Sequence, residues 1–198
     1  LRGCSPAFQK AMTQAKALVE DSHDPQQADL ILDRACFEEM AQLARDLDSR
    51  FLQRYVQLLV DVANLRTAVR VHRMGREPEF LRQVLLPGGS VSEQSIAAAR
   101  GENLGDLFHT GGLAQAAELG AKLAQPGAGA MTDFERACDD AVTAYLASER
   151  RVPFGEEPVV GYLYAREAEF TAIRTIFAGR AAKLEGDVIC RRLRETYV

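Results

Sequence analysis

Residues 50–74 read RFLQRYVQLLVDVANLRTAVRVHRM, and this stretch contains the most informative helical pattern in the chain. At 100° per residue, one apolar set clusters about 80° from Asp61 and a second set about 220° from it. A narrow polar stripe also contains Arg54, Gln57 and Asn64. A helix with two apolar faces packs on two sides, so this stretch predicts a long helix inside a helical domain.

The flanking segments carry the start and stop signals of helices. Ser5-Pro6 and Asp24-Pro25 each place a capping residue before a proline at the first helical position. The signals predict helices over residues 6–21, 25–46, 50–74, 78–86, 103–109, 111–124, 158–179 and 186–196. Residues 125–130 (QPGAGA) are predicted to be a linker, and 151–157 (RVPFGEE) a loop.

Two further helix starts are predicted from capping boxes, in which Ser or Thr precedes Glu by three residues. Ser90 with Glu93 opens a helix up to Arg100, and Thr132 with Glu135 opens one up to Arg150. Strand signals are nearly absent. The predicted fold class is therefore all-α.

The composition excludes several classes of protein. The chain has 198 residues, 47% of them hydrophobic and 26% charged, with a net charge of −4. These values are typical of a globular chain and disfavour nucleic-acid binding. No uncharged apolar run of about 18 residues predicts a membrane span. Four scattered cysteines predict small buried thiols in a reducing compartment. The chain begins at Leu1 without a signal-peptide core, and we expect it to be a fragment.

Two parts of the chain resemble each other. Asp33 to Cys36 (DRAC) matches Glu135 to Cys138 (ERAC), and Asp61 to Thr67 matches Glu169 to Thr175. A repeat of about 105 residues is longer than a solenoid unit and indicates domain duplication. The predicted organisation is a remnant of a preceding domain at 1–22, a first helical repeat domain at 23–125 and a second at 126–198.

The repeat keeps an acid and an arginine on opposite sides of each long helix: Asp61 with Arg66, and Glu169 with Arg174. In one interpretation the acid faces solvent and the arginine ties the helix to a neighbour. In a second, a repeated ion pair is presented to a partner protein. In the third interpretation, these residues act as a catalytic acid and base.

The sequence offers no recognisable catalytic or cofactor site. A phosphate-binding GxxxxGK[ST] loop is absent. Glu20-x-x-His23 is half of a di-iron motif without a second copy, and His72 and His109 are interpreted as structural. No catalytic, cofactor-binding or metal-binding residue is assigned, and no cofactor is expected.

The C-terminal part resembles a known family. The string PVVGYLYAREAEFTAIRTIFAGR at 158–180, followed by ICRRLRETY at 189–197, is similar to the C-terminal signature of the C subunit of bacterial and archaeal V-type (A-type) rotary ATPases, a relative of the d subunit of the vacuolar enzyme. DVANLRT at 61–67 and DLILDRACF at 29–37 match the earlier family pattern. The resemblance extends from about residue 24 and is weakest through 101–130.

The resemblance implies an all-helical, funnel-like subunit of three similar domains, of which this chain would contain two. Such a subunit performs no catalysis: it joins the central stalk subunits to the proteolipid rotor ring and transmits torque in a proton- or sodium-translocating complex. It implies one copy per complex and a peripheral location on the cytoplasmic face of the membrane. The alternative hypothesis is a cytosolic helical scaffold or regulator unrelated to rotary ATPases.

Overall fold

The computed structural model describes residues 5–23, 25–109 and 111–197, and within them the chain forms helices and no strands. The all-α prediction is confirmed. The helices are α1 (Pro6–Ser22), α2 (Pro25–Asp46), α3 (Arg50–Arg73), α4 (Pro78–Val84), α5 (Glu93–Ala98), α6 (Leu104–Leu107), α7 (Ala114–Leu123), α8 (Thr132–Ser148), α9 (Glu156–Ala181) and α10 (Gly186–Cys190). Short 3-10 turns occur at Gly101–Asn103 and Gly111–Leu113.

Prolines and caps set the helix starts as the sequence predicts. Pro6 and Pro25 open α1 and α2, and the Ser5 hydroxyl accepts a hydrogen bond from the Phe8 N–H at 3.1 Å. The predicted cap at Asp24 lies outside the described residues. The last helix is shorter than predicted, since α10 ends at Cys190 rather than near residue 196.

Both predicted capping boxes are wrong. The hydroxyl of Ser92, not Ser90, accepts a hydrogen bond from the Ser95 N–H, and Ser90 instead donates to Asp61. Thr132 is the first residue inside α8, whose cap position is Met131. The motif names the residue types that can cap a helix, but surrounding contacts decide which of them does.

The two predicted apolar faces of α3 are buried within the helix, whereas Met74, which the spacing places on the second face, lies beyond the end of α3 and is 57% exposed. Phe51, Val62 and Leu65 of the first face are buried, as are Val56 and Val60 of the second. Such close packing on two sides makes a helix stiff.

The described chain divides into two compact units. One contains the residues up to Thr67 together with Glu77–Ala98. In this unit α1 packs on α2, which buries Ala11 and Ala15. Arg34 of α2 donates to the carbonyl oxygens of Gln83 and Leu85, at 2.5 and 3.3 Å, and so fixes the segment after α4.

The other unit contains Ala68–Arg76 and the residues from Ala99 onward. Its core is built around Phe134 of α8, which is completely buried. Gly120 of α7 lets the helices approach closely, because a Cβ there would lie 2.9 Å from the Phe134 ring and 2.8 Å from Val69. Arg73 donates to the carbonyls of Ala128 and Gly129, which ties the predicted linker to the end of α3.

The cysteines only partly follow the prediction of small buried thiols. Cys138 is buried, whereas Cys36 and Cys190 are exposed, and these three described cysteines are not joined by a disulfide. The prediction is wrong for Cys36 and Cys190 because each lies on a helix side that faces solvent. The predicted domain boundaries and the three-domain funnel stay predictions.

Candidate functional site

Asp61 lies in the interior of its unit, which overturns the prediction that it faces solvent. Only 4% of its surface is exposed. Its carboxylate accepts hydrogen bonds from the Ser90 N–H at 2.8 Å and the Ser90 hydroxyl at 2.6 Å. The Val91 N–H adds a longer contact of 3.4 Å. The loop after α4 covers the part of the polar stripe that contains Asp61, and the Asp61 carboxylate holds the loop in place.

Asn64, one helical turn further along α3, holds the same loop. Its side-chain amide donates to the Leu86 carbonyl and accepts from the Leu86 N–H, both at 2.8 Å. Asn64 is 1% exposed. We call Asp61 and Asn64, with the loop residues Leu86, Gly89 and Ser90, the α3 clamp.

The electrostatics of the α3 clamp favour a structural role. Burial raises the pKa of Asp61, and the hydrogen bonds from Ser90 and Val91 oppose that rise without cancelling it. A side chain at Gly89 would overlap the Asp61 carboxylate oxygen and lie 3.3 Å from Val60. No space for a substrate therefore remains between this carboxylate and the loop.

The second acid and arginine of the repeat have different surroundings. Glu169 is exposed and pairs with Arg166 on its own helix, and the Arg166 guanidinium lies 5.2 Å from the centre of the Phe170 ring. The prediction of a solvent-facing acid thus holds for Glu169 and fails for Asp61. Arg66 is half-buried whereas Arg174 is exposed.

The three histidines lie far from one another in the sequence, and each has its own local surroundings. His23 ends α1 with a left-handed backbone conformation, and His109 contacts the carbonyl of Asp106. His72 is half-buried, and burial lowers its pKa. Within the described part of the chain, no three His, Cys, Asp or Glu side chains are arranged to hold a metal ion.

The most unusual surface lies on α9. Within this helix, all of whose residues are described, only Gly161 and Gly179 are buried. Large apolar side chains instead point outward at i, i+3, i+4, i+11, i+14 and i+18, a spacing that places them within a sector of about 100°. We call this set the α9 stripe: Val159, Tyr162, Leu163, Phe170, Ile173 and Phe177.

The sequence pattern did not predict that the α9 stripe is exposed. The helical spacing of its apolar residues is visible in the sequence, but the same spacing is typical of a buried helix face. Exposure alone distinguishes the two cases, and Phe177 is 71% exposed.

The C-terminal segment after α10 is fastened beside α8 and α9. Arg194 pairs with Asp139 at 2.5 Å, and the Glu195 N–H donates to Asp140 at 2.8 Å. Tyr197 lies against Gly161 of α9, where a Cβ would be 2.7 Å from the ring atom Cζ. These contacts keep the segment on the side of α9 away from the stripe.

A groove of about 410 Å³ follows the C-terminal half of α9. It is lined by apolar residues such as Ala178, Leu184 and Ile189 and by the cations Arg174 and Arg192. Arg174 therefore borders both the groove and the α9 stripe. An apolar surface with cations at its edge can bind a protein segment that carries carboxylates.

No helix in residues 5–23, 25–109 or 111–197 is long and apolar enough to cross a bilayer.

A family model described as ATP synthase (C/AC39) subunit matches residues 4–192, nearly the whole chain. The chain belongs to the ATP synthase (C/AC39) subunit family. This membership confirms the family resemblance read from residues 158–180 and 189–197.

Curated relatives carry consistent names. The C subunit of the A-type ATP synthase of Halorubrum lacusprofundi is 30% identical over 162 residues, covering 80% of this chain and 46% of the relative. The C subunit of the V-type ATP synthase of Thermus thermophilus is 28% identical over 191 residues, covering 88% and 53%. The C subunit of the V-type sodium ATPase of Enterococcus hirae is 22% identical over 179 residues, covering 90% and 54%.

The chain spans about half the length of the curated relatives it matches. No solved structure matches it significantly.

Proposed function

We propose that this chain acts as a non-catalytic subunit of a rotary V-type or A-type ATPase or ATP synthase. In this role it joins the central stalk subunits to the proteolipid rotor ring and transmits torque between them. The main support for the proposal is the family match over residues 4–192. Because the relatives are named as C subunits of such complexes, contacts with other subunits are the function to look for.

The packing of α3 suits a part that bears load. Close-packed interiors resist deformation, and α3 is buried on two faces, with Asp61 and Asn64 of its polar stripe covered by the loop of the α3 clamp. A helix held in this way transmits a displacement with little internal movement. The α9 stripe, in contrast, offers surface for a contact with another protein of the complex.

The proposal includes the location and the stoichiometry. The chain would be peripheral on the cytoplasmic face of the membrane, in one copy per complex, and would not bind nucleic acid. The alternative, a helical scaffold unrelated to rotary ATPases, does not agree with membership of this family.

Loss of coupling tests this function. The gene for the full protein is deleted in the host, and membrane vesicles are assayed for ATP hydrolysis and for ATP-driven ion transport. We expect transport to disappear while hydrolysis by the soluble head persists, and the full-length protein to restore transport. The tagged protein should also co-purify with the stalk and the ring. Undiminished transport in the deletion strain would contradict the proposal.

A further inference from the structure

The α9 stripe is long and narrow, which limits what can cover it. From Val159 to Phe177 it extends about 27 Å, at 1.5 Å per residue. Its width is about a third of the helix circumference. A second helix of about 18 residues matches these dimensions, as in helix-in-groove recognition.

Charge is distributed unevenly along this helix. From Phe170 to Leu184 the sequence contains no Asp or Glu, but it contains three cations, Arg174, Arg180 and Lys183. Arg174 and Arg180 lie about 60° to either side of the stripe centre. Within the described residues, neither guanidinium has an acidic partner.

The helix dipole explains only part of this charge. A cation in the last turn is favoured by the partial negative charge there, which accounts for Arg180. Arg174 is two turns before the end, beyond the reach of that effect. In the N-terminal half, Arg166 is already neutralised by Glu169 and covers Phe170. Among the cations of α9, those without an acidic partner in the described residues are thus confined to its C-terminal half.

We propose that the α9 stripe binds an amphipathic helix of another protein, with carboxylates on the flanks of that helix where it meets residues 174–183. This inference rests on the proposed function, because it names the chemistry of a contact through which the protein would act. A second copy of this chain fits less well. Placed antiparallel with the two stripes in register, it would bring Tyr162 opposite Arg174, and no Asp or Glu lies within four residues of Tyr162, so Arg174 would stay without an acidic partner.

Synthetic peptides test the proposal directly. Two labelled 18-residue amphipathic helices share a leucine face and differ only in having Glu or Lys on its flanks. Fluorescence anisotropy measures their binding to the 198-residue chain. We expect the Glu peptide to bind about tenfold more tightly at low salt, with the difference shrinking as salt is added.

Matched variants locate the binding surface. Phe177→Ser removes an exposed side chain of the α9 stripe, and Leu47→Ser removes one that is similarly exposed, at 67%, in the other unit. We expect Phe177→Ser to weaken binding of the Glu peptide by tenfold or more and Leu47→Ser to leave it unchanged. Combined Arg174→Glu and Arg180→Glu should reverse the preference between the two peptides. Circular dichroism checks that each variant is folded.

Three results would overturn the proposal. The two peptides could bind equally well, neither could bind, or Leu47→Ser could have the same effect as Phe177→Ser. Sedimentation that finds a dimer, dissociated by Phe177→Ser, would assign the stripe to a second copy instead. The deletion assay of coupling is independent of these measurements. If the deletion strain loses ATP-driven ion transport as expected but the peptides do not bind, only this inference is refuted and the proposed function stands.

Discussion

Truncating Asn64 to alanine is the most direct test of the α3 clamp. The side-chain amide of Asn64 makes two hydrogen bonds of 2.8 Å with the backbone N–H and carbonyl of Leu86, and both residues are buried. Alanine removes both bonds at once. Water cannot easily replace them, because the site is covered by the loop after α4.

The expected loss of stability follows from the two backbone groups left unpaired. A buried donor or acceptor without a partner costs about 1–3 kcal/mol. The two groups together should lower the free energy of unfolding by roughly 2–4 kcal/mol, since part of each cost is relieved as the loop shifts. For a chain of this size the melting temperature should fall by about 5–15 °C.

The assay combines urea unfolding, followed by circular dichroism, with hydrogen exchange at the Leu86 amide. Gln57→Ala is the matched control, because Gln57 lies on the same polar stripe but is exposed. We expect that control to stay within about 0.5 kcal/mol of the parent. The reasoning is refuted if Asn64→Ala is as stable as Gln57→Ala, or if the Leu86 amide exchanges no faster.

Other predictions concern the pH dependence of stability, the C-terminal segment and nucleotide binding. Burial raises the pKa of Asp61 above its ordinary value of 3.8, so the folded state holds that proton more tightly, and the contribution of Asp61 to stability should be lost as the pH rises from 3.8 through the folded-state pKa. Asp61→Asn should reduce this slope in urea titrations, and an unchanged slope would count against the assignment. Gly161→Ala places a Cβ against Tyr197 and should speed carboxypeptidase digestion of the C-terminal segment, unlike the control Gly186→Ala, where a Cβ meets nothing within 4 Å. The purified chain should neither bind nor hydrolyse ATP, because its sequence lacks a phosphate-binding loop; micromolar affinity in calorimetry would contradict this.

The sequence predicted which residues are of interest in the candidate site but not what surrounds them. The sequence identified Asp61 and Glu169 as related positions, but one is buried under a loop and the other pairs within its own helix. A polar stripe predicts solvent exposure unless a covering segment brings its own donors. Here the backbone N–H groups of Ser90 and Leu86 donate to Asp61 and Asn64. Because almost every residue type carries a backbone N–H, the sequence does not reveal that these two act as donors.

The order of residues was enough to locate the starts of α1, α2 and α4, because Pro6, Pro25 and Pro78 act on the backbone of the first helical turn. The sequence alone also predicted the two apolar faces of α3 and the family, because helical periodicity and family motifs can both be read from the order of the residues. The burial of Asp61 and the exposure of the α9 stripe, in contrast, became known from the folded chain. Both depend on which distant segment covers a helix face, and the spacing of residues along that helix does not contain this information.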